Sequence, residues 1–253
     1  MATDAQGNPL FFNSSATVTV QEPSRELLVE KIQALDTRLE QQILRNHGNF
    51  PRLTSCDDLS IKNGSAVVTL DPLDNLGKVD VVCEFNEEGK SWTVLQNRFD
   101  GSVDFYRSFQ DYENGFGNMT GEFWMGLQTL RRLVQTGYFD LEIDMVSNAG
   151  EHYNRTYSNF TIGPGPGYAL SVSGYDDKNR GLSYNSGRDF TAYDNNTGCA
   201  RDYHGGFWYS GCTQVNLNGR WGVPGQESIS WSEIHSFDNF WMTETTMKFR
   251  PSQ

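Results

Sequence analysis

Residues 92–126 read WTVLQNRFDGSVDFYRSFQDYENGFGNMTGEFWMG. The segment starts within a run, Ser91–Arg98, whose β-branched and aromatic residues predict a strand. The Asp100-Gly101 pair that follows is typical of a turn. Residues 112–133 hold the clearest helices predicted after the N-terminal region, and Gly137 supplies a stop signal. The centre of the sequence is therefore predicted to combine a strand, a turn and helices.

Short β-rich runs flank this segment on both sides. Residues 138–146, YFDLEIDMV, alternate apolar with acidic side chains, which predicts a half-buried antiparallel strand. Further strands are predicted at residues 67–70, 78–82, 157–162 and 168–172. From about Gly174 the sequence becomes loop-rich, and long irregular stretches in a compact domain indicate functional loops held by a scaffold.

The N-terminal region has a different periodicity. Residues 1–23 are predicted to be a tail, and residues 24–48 a helix that starts at Ser24 and ends at His47-Gly48. Its apolar stripe extends over about three heptads, which predicts a short coiled coil and an oligomer, with a trimer favoured. An amphipathic helix lying on its own domain is the alternative. The stripe consists of Leu28, Ile32, Leu35, Leu39 and Ile43.

Charge and cysteine content narrow the class of protein. The formal net charge of −12 and the pI of about 4.7 argue against nucleic acid or an anionic membrane as the main partner. No apolar run approaches membrane length. Four cysteines without C-x-x-C spacing disfavour zinc and favour disulfides formed in an oxidising compartment. The absence of a signal peptide after Met1 is interpreted as a mature or truncated secreted protein.

Six N-x-S/T sequons also point to a secreted, extracellular glycoprotein. Because such sequons are common by chance, they support this localisation and do not decide it. They begin at Asn13, Asn63, Asn118, Asn154, Asn159 and Asn195.

The strongest candidate site is the stretch CARDYHGGFWYSGCTQVNLNG, residues 199–219. Its two cysteines are thirteen residues apart, and a disulfide between them would restrict the motion of an aromatic-rich loop. Phe207 and Trp208 are expected to be at least half buried, and rings of this kind often simply fill a core. The polar ends of Tyr203, His204 and Tyr209 indicate the wall of a binding site.

Catalytic motifs are missing from the sequence. It contains no G-x-S-x-G, no H-E-x-x-H and no P-loop. The four histidines, at positions 47, 152, 204 and 235, are scattered, and His204 is the one in a suggestive place. The protein is predicted not to be an enzyme.

From Cys56 to Pro251 the sequence resembles the fibrinogen C-terminal domain, the head shared by fibrinogen chains, ficolins, tachylectins, angiopoietins and tenascins. The resemblance rests on residues 92–126, YALSVSGY at 168–175, LSYNSGRDF at 182–190, GGFWYSGC in the cysteine loop, NLNG at 216–219 and the closing MKFRP. It implies an α+β head within residues 49–253. The head has a small disulfide-linked N-terminal subdomain (about 52–92), a central twisted antiparallel sheet (93–172) and a loop-rich C-terminal subdomain (173–253). The family wiring implies the disulfides Cys56–Cys83 and Cys199–Cys212.

The resemblance also implies that the head binds ligands and catalyses nothing. Lectin-like members hold acetylated sugars or amines in a pocket walled by the cysteine loop. Here that pocket is expected to combine the loop rings with Thr213, where relatives often have His, and with Phe240 and Trp241, where relatives tend to present Tyr. The predicted pocket is therefore more apolar than in those relatives.

The family's calcium loop is altered in this sequence. Asp194 and Asn196 occupy the positions of two carboxylates, and about five residues before Cys199 are missing. Calcium takes six to eight oxygen ligands, so the shortened loop predicts weak or no calcium binding, and turn chemistry accounts for the same residues.

Two functions from different classes remain open at this point. The first is a secreted innate-immune lectin that binds acetylated glycans. The second is an extracellular protein ligand, of the angiopoietin kind, for a cell-surface receptor. A structural-assembly role, as in fibrinogen, would need a complementary peptide partner that the sequence does not display.

Overall fold

The structure, a computed structural model, describes residues 52–135, 137–174, 181–195, 198–212, 214–234 and 240–252. The predicted tail and coiled-coil helix, residues 1–48, lie outside these ranges. The compact unit that the structure describes begins at Arg52. Within the described ranges, no helix is long and apolar enough to span a bilayer.

Antiparallel strands form the framework of this unit. In order along the sequence they are β1 (Gly64–Leu70), β2 (Val79–Phe85), β3 (Ser91–Arg98), β4 (Phe116–Gly117), β5 (Phe123–Trp124), β6 (Phe139–Ser147), β7 (His152–Ile162), β8 (Leu170–Ser173), β9 (Val215–Asn216), β10 (Ser230–Trp231) and β11 (Met242–Pro251). The main sheet has the order β1-β2-β3-β11-β6-β7-β8, β5 pairs with β3 and β4, and β9 pairs with β10. The predicted antiparallel α+β architecture is confirmed.

In the described ranges the helices are few and short. They are α1 (Phe109–Asn114), α2 (Leu127–Val134) and α3 (Cys199–Asp202), with 3-10 turns at Cys56–Asp58 and Leu182–Asn185. Ser108 caps α1 by accepting the Asp111 N–H, and the Asp111 carboxylate returns to the Ser108 backbone, which forms a capping box. The helical segment predicted at residues 112–133 therefore consists of two helices separated by β4 and β5.

Strand β6 shows how the sequence pattern produces the core. Leu141, Ile143 and Met145 are buried, because alternate side chains of a strand face the same side of the sheet. The acidic residues between them lie on the opposite face, where they are half-buried. The half-buried strand predicted from residues 138–146 is thus confirmed.

Strand β11 occupies the middle of the sheet, hydrogen-bonded to β3 on one side and β6 on the other. Its Lys248 is 6% exposed, and its ammonium lies 2.6 Å from Glu84, 3.2 Å from Glu142 and 2.8 Å from Asp144. Burial opposes the charge, but hydrogen bonds to Asp144 and Glu84 outweigh it and raise the pKa of Lys248. The ion pairs connect β2, β11 and β6 across the sheet.

Both predicted disulfides are present. Cys56–Cys83 fastens the 3-10 turn at Cys56–Asp58 to β2, and Cys199–Cys212 connects α3 to the segment just before β9. The part of the protein that the structure describes contains no free cysteine.

Candidate ligand-binding site

The cysteine loop contributes two of its rings to the core. Phe207 and Trp208 are both 0% exposed. The indole Nε1 of Trp208 donates to Tyr168 O at 2.7 Å, and its ring packs edge-on against Phe190 at 5.0 Å. The expectation that these rings are at least half buried is correct, and their contacts are those of packed core residues.

Two further loop rings of the predicted wall make internal contacts; Tyr203 is buried and Tyr209 is half-buried. Tyr203 is 6% exposed, and the Tyr209 hydroxyl lies 2.7 Å from Gly205 O and 2.9 Å from Asn216 Oδ1. Burial raises the pKa of both phenols. These rings are therefore packed against internal groups, and they are not arranged as an open wall.

The loop is held inward by amide side chains that follow it. Asn216 Nδ2 donates to Tyr203 O at 2.7 Å, and Asn218 Nδ2 donates to Gly206 O at 2.8 Å. The two segments approach so closely that a Cβ on Gly205 would lie 2.2 Å from Asn218 O. The NLNG segment thus replaces solvent as the hydrogen-bonding partner of the loop backbone.

His204 is a ring of the loop that reaches the surface. Its side chain is 39% exposed, and its backbone has a φ of 50°, a left-handed conformation that is uncommon outside glycine. The imidazole packs against Tyr106 with ring centroids 4.9 Å apart, and Tyr106 packs in turn against Tyr193 at 4.8 Å. Three aromatic rings from separate segments therefore lie in a row.

Glu227 connects His204 to a second basic side chain. The Nδ1 of His204 lies 3.1 Å from Glu227 Oε2, and Arg220 Nη1 lies 3.2 Å from Glu227 Oε1. The His204 contact is short, but Nδ1 makes no hydrogen bond with any described residue. It becomes an ion pair when the imidazole carries a proton. Glu227 thus links the cysteine loop to the segment that follows β9.

A cavity of about 600 Å³ lies beside this row of rings; we call it the His204 cavity. This volume is within the range of small-ligand pockets. Both polar and apolar groups face it. Its lining consists of Arg98, Gly101, Ser102, Val103, Asp104, Phe105, Tyr106, His204, Gly219, Arg220 and Trp221.

Glu122 shapes the loop that forms one side of the cavity. Its Oε1 accepts the backbone N–H groups of Phe99, Asp100 and Gly101, and its Oε2 accepts that of Val103. This carboxylate belongs to a residue that is 1% exposed, and both of its oxygens are used by the loop. The turn predicted at Asp100-Gly101 is therefore held in shape by Glu122, the residue that immediately precedes β5.

Arg98 joins this loop to the NLNG segment. Its Nη1 donates to Gly219 O at 3.0 Å, and its guanidinium carbon lies 3.8 Å from the centroid of the Phe105 ring. Burial lowers the pKa of Arg98 to about 10, against the opposing attraction of Glu122. The guanidinium is therefore charged at neutral pH and forms part of the cavity base.

Trp221 provides an indole wall that is fixed in place. Its Nε1 donates to Thr243 O at 2.7 Å, and its ring covers Gly101, where a Cβ would lie 2.8 Å from Trp221 Cε3. Tyr106, which is 36% exposed, supplies a second aromatic surface. Asp104 Oδ1 accepts the Tyr106 N–H at 2.9 Å, which holds the carboxylate close to the Tyr106 backbone.

The residues predicted from the closing segment lie elsewhere. Phe240 packs edge-on against Tyr153 at 6.5 Å, and the Trp241 carbonyl accepts the Asn148 N–H at 2.9 Å. Thr213 is outside the described residues. Of the predicted ligand-binding residues that the structure describes, His204 alone lines the cavity.

Sequence reasoning missed most of the lining residues, among them Asp104, Tyr106, Arg220 and Trp221. Two sequence segments could have indicated them. One is the turn-rich DGSVDFYR, residues 100–107, directly after a predicted strand, and the other is GRW, residues 219–221, which begins at the last residue of NLNG. Both segments combine glycine with aromatic and charged residues, a composition that is typical of binding loops.

The altered calcium loop offers few ligands in the described ranges. Asp194 Oδ1 accepts the Phe109 N–H at 2.8 Å, so one oxygen of this carboxylate already has a backbone partner. Asn196 lies outside the described residues. Among the described residues, there is no cluster of three or more His, Cys, Asp or Glu side chains that could hold a metal ion. These donors do not fit a calcium site, and weak or absent calcium binding stays a prediction.

The described part of the protein is thus an antiparallel sheet fastened by disulfides, with a cavity among its loops. The protein belongs to the family of the C-terminal globular domain of the fibrinogen beta and gamma chains, whose model matches residues 53–252. The family resemblance predicted from the sequence is confirmed.

Several relatives illustrate the breadth of the family. Human microfibril-associated glycoprotein 4 is 33% identical over 214 residues, covering 77% of this sequence and 84% of that protein. Human ficolin-3 is 39% identical over 154 residues, covering 56% of this sequence and 50% of that protein. The match spans only 14% of chicken tenascin, at 30% identity.

Solved structures agree with the fold. The fibrinogen-like globe domain of human ANGPTL6 has a TM-score of 0.72 at 29% identity, covering 82% of this protein and 99% of that domain. The lamprey fibrin D-dimer, solved with the peptide ligand Gly-His-Arg-Pro-amide, has a TM-score of 0.68 at 24% identity, covering 88% of this protein and 85% of the matched one.

Proposed function

We propose that this protein is a secreted recognition protein of the innate-immune lectin type that binds acetylated glycans at the His204 cavity. The observation that carries the proposal is the convergence of Trp221, Tyr106 and His204, three rings from separate segments, on one polar cavity. Aromatic walls with a few convergent polar groups are typical of sites for small ligands. The 39% identity to ficolin-3 supports a lectin, although only half of that protein is covered.

The lining suggests how such a ligand is held. The ring faces of Trp221 and Tyr106 pack against the acetyl methyl and the apolar face of the sugar. Asp104 accepts hydrogen bonds from sugar hydroxyls, while Arg220 and the Ser102 hydroxyl donate hydrogen bonds to the acetyl carbonyl. No bond of the ligand is broken, so the role is recognition without catalysis.

A single site of this kind is weak for a small sugar, with a Kd on the order of millimolar. Useful affinity then comes from several heads that act together, which fits the oligomer predicted from residues 24–48. The predicted homo-oligomer is therefore part of the proposed function.

An array of acetylated and non-acetylated glycans, probed with the full-length oligomeric protein with and without chelator, tests the proposal. Trp221→Ala and His204→Ala should each weaken binding by up to about tenfold, since an aromatic contact or a hydrogen bond typically contributes about 0.5–1.5 kcal/mol and 1.4 kcal/mol is a factor of ten. Tyr138→Ala serves as the matched control, since Tyr138 is 76% exposed and is not a lining residue.

Trp241→Ala distinguishes the two site assignments, because it should bind normally if the His204 cavity is the site. If Trp241→Ala loses binding while Trp221→Ala and His204→Ala bind normally, the ligand site lies at the closing segment and not at the His204 cavity.

A second candidate is an extracellular ligand for a protein receptor. It is favoured by the combination of Tyr106, Tyr193 and Arg220 beside the cavity, because tyrosine and arginine are enriched at interface hot spots. The likeness to the ANGPTL6 domain supports the same function. If the oligomeric parent protein gives no signal on the glycan array, this result would contradict the lectin proposal and favour a protein receptor as the partner.

A further inference from the structure

Asn118 stands out among the sequons because of the turn in which it lies. We propose that Asn118 carries an N-linked glycan, and that Asn154 and Asn159 remain largely unmodified. The inference is independent of the proposed lectin activity. It ranks the predicted sequons by the hydrogen bonds that each asparagine makes.

The turn at residues 118–121 connects the two-residue strands β4 and β5. The Gly121 N–H donates to Asn118 O at 2.8 Å, which closes a four-residue β-turn. The Asn118 side-chain oxygen accepts both the N–H of Thr120 at 3.0 Å and its hydroxyl at 2.9 Å. The acceptor asparagine and the hydroxyl residue of the sequon are thus bonded to one another.

This arrangement leaves the reactive nitrogen of Asn118 available. Asn118 and Thr120 lie in an exposed turn, and Asn118 Nδ2 has no hydrogen-bond partner among the residues the structure describes. Both the backbone bond from Gly121 and the bond from the Thr120 N–H to the Asn118 side chain are local, because they lie within the four consecutive residues 118–121. An Asx turn of this kind forms without tertiary contacts, so the nascent polypeptide can adopt it before the domain folds.

Asn154 and Asn159 differ in this respect, because each lies in strand β7 rather than in a local turn and its side-chain nitrogen is bonded to another strand. Asn154 Oδ1 does accept the hydroxyl of its own sequon residue Thr156, but at the longer distance of 3.4 Å, and Asn154 Nδ2 donates to Asp144 Oδ1 at 2.7 Å within the β6–β7 pair. Asn159 Nδ2 donates to Ser173 Oγ at 2.7 Å. Asn63 Oδ1 accepts the N–H of the adjacent Gly64, and its bond is not to the Ser65 hydroxyl. Asn195 Oδ1 accepts the Ala192 N–H, and its sequon extends beyond the described residues.

The modification itself is a simple substitution. A bond forms between Asn118 Nδ2 and the anomeric carbon of an oligosaccharide supplied by a lipid-linked diphosphate donor. The bond between that carbon and the diphosphate oxygen breaks, and the lipid diphosphate leaves with the electron pair. Asn118 Nδ2 gives up one of its two protons, which passes to a basic group of the transferase and from there to water.

The test is to express the full-length protein behind a cleavable secretory signal in animal cells and to release glycans enzymatically in heavy-oxygen water. Peptide mapping then marks each formerly glycosylated asparagine as a labelled aspartate. We expect the label at Asn118 in most secreted molecules and at Asn154 and Asn159 in few. Asn118→Gln should lower the apparent mass by one glycan, whereas Asn154→Gln, the matched control, should not.

Two outcomes would overturn the proposal. One is secreted protein in which Asn118 is unlabelled. The other is labelling at Asn154 that equals or exceeds labelling at Asn118, since this would show that the turn does not select the site. Retained occupancy in Thr120→Ser, which keeps the sequon hydroxyl, supports the proposal, and loss of occupancy in this variant counts against it.

Discussion

The Nε of Arg98 lies 3.8 Å from Glu122 Oε1, and the two side chains are 1% and 0% exposed. The same Glu122 oxygen accepts three backbone N–H groups of the loop that borders the His204 cavity. Arg98 in turn donates to Gly219 O on the opposite side. One buried ion pair thus holds both sides of the candidate site.

Removing the charge of either Arg98 or Glu122 should lower the free energy of unfolding. Glu122→Gln or Arg98→Met leaves a buried charge without its partner, which typically lowers the free energy of unfolding by about 3–5 kcal/mol. The double variant should lose less than the sum of the single losses, because neither charge is then left alone. Urea denaturation of the parent, the two single variants and the double variant measures this double-mutant cycle. Strictly additive losses would show that Arg98 and Glu122 act independently.

The Cys199–Cys212 disulfide should support both stability and binding. Closing a loop with a sequence separation of 13 contributes about 3 kcal/mol to the free energy of unfolding. Replacing both cysteines by alanine should therefore lower stability by that amount and weaken glycan binding, because the loop presents His204. The pair Cys56/Cys83 is the control: its removal should lower stability and leave binding intact. Equal binding losses in both variants would point to general unfolding.

Acid should weaken the contact between α2 and the loop before β2. Arg132 Nε lies 2.6 Å from Asp74 Oδ2, and its hydrogen bond lowers the pKa of Asp74 from 3.8 to about 2. Because the folded pKa is depressed, the stabilisation is present above 3.8 and is lost as the pH falls through about 2. Asp74→Asn should thus be less stable than the parent at neutral pH. The difference in unfolding midpoint should shrink below pH 3.8; a constant difference contradicts the pair's role.

Calcium should change the melting temperature little. A ligand that binds only the folded state at a hundred times its Kd adds about 2.7 kcal/mol, so a true site would be evident in a thermal scan. Asp194→Ala is the control variant. A large upward shift with millimolar calcium that disappears in Asp194→Ala would show that the shortened loop does bind the ion.

The sheet was largely predictable, because strands such as β3 and β6 carry their own pattern of residues. The His204 cavity was not predictable in this way. Its sides are joined by contacts such as Arg98 with Gly219, 121 residues apart in the sequence, and no local pattern encodes them. Likewise, residue type suggested that Tyr203 and Tyr209 formed an open wall. Only the fold reveals that Asn216 bonds to the Tyr203 carbonyl and the Tyr209 hydroxyl and draws this part of the loop inward.

The position of β11 has a consequence for biosynthesis. This strand is the last of the sheet to be synthesised, yet it separates β3 from β6, so the two parts made earlier cannot join directly. During synthesis, β3 and β6 each present an unpaired edge until residues 242–251 have left the ribosome. The sheet is therefore completed late, and the nascent polypeptide depends on protection of these edges against association with other molecules. A truncation that removes this ten-residue strand would leave the sheet in two unjoined pieces.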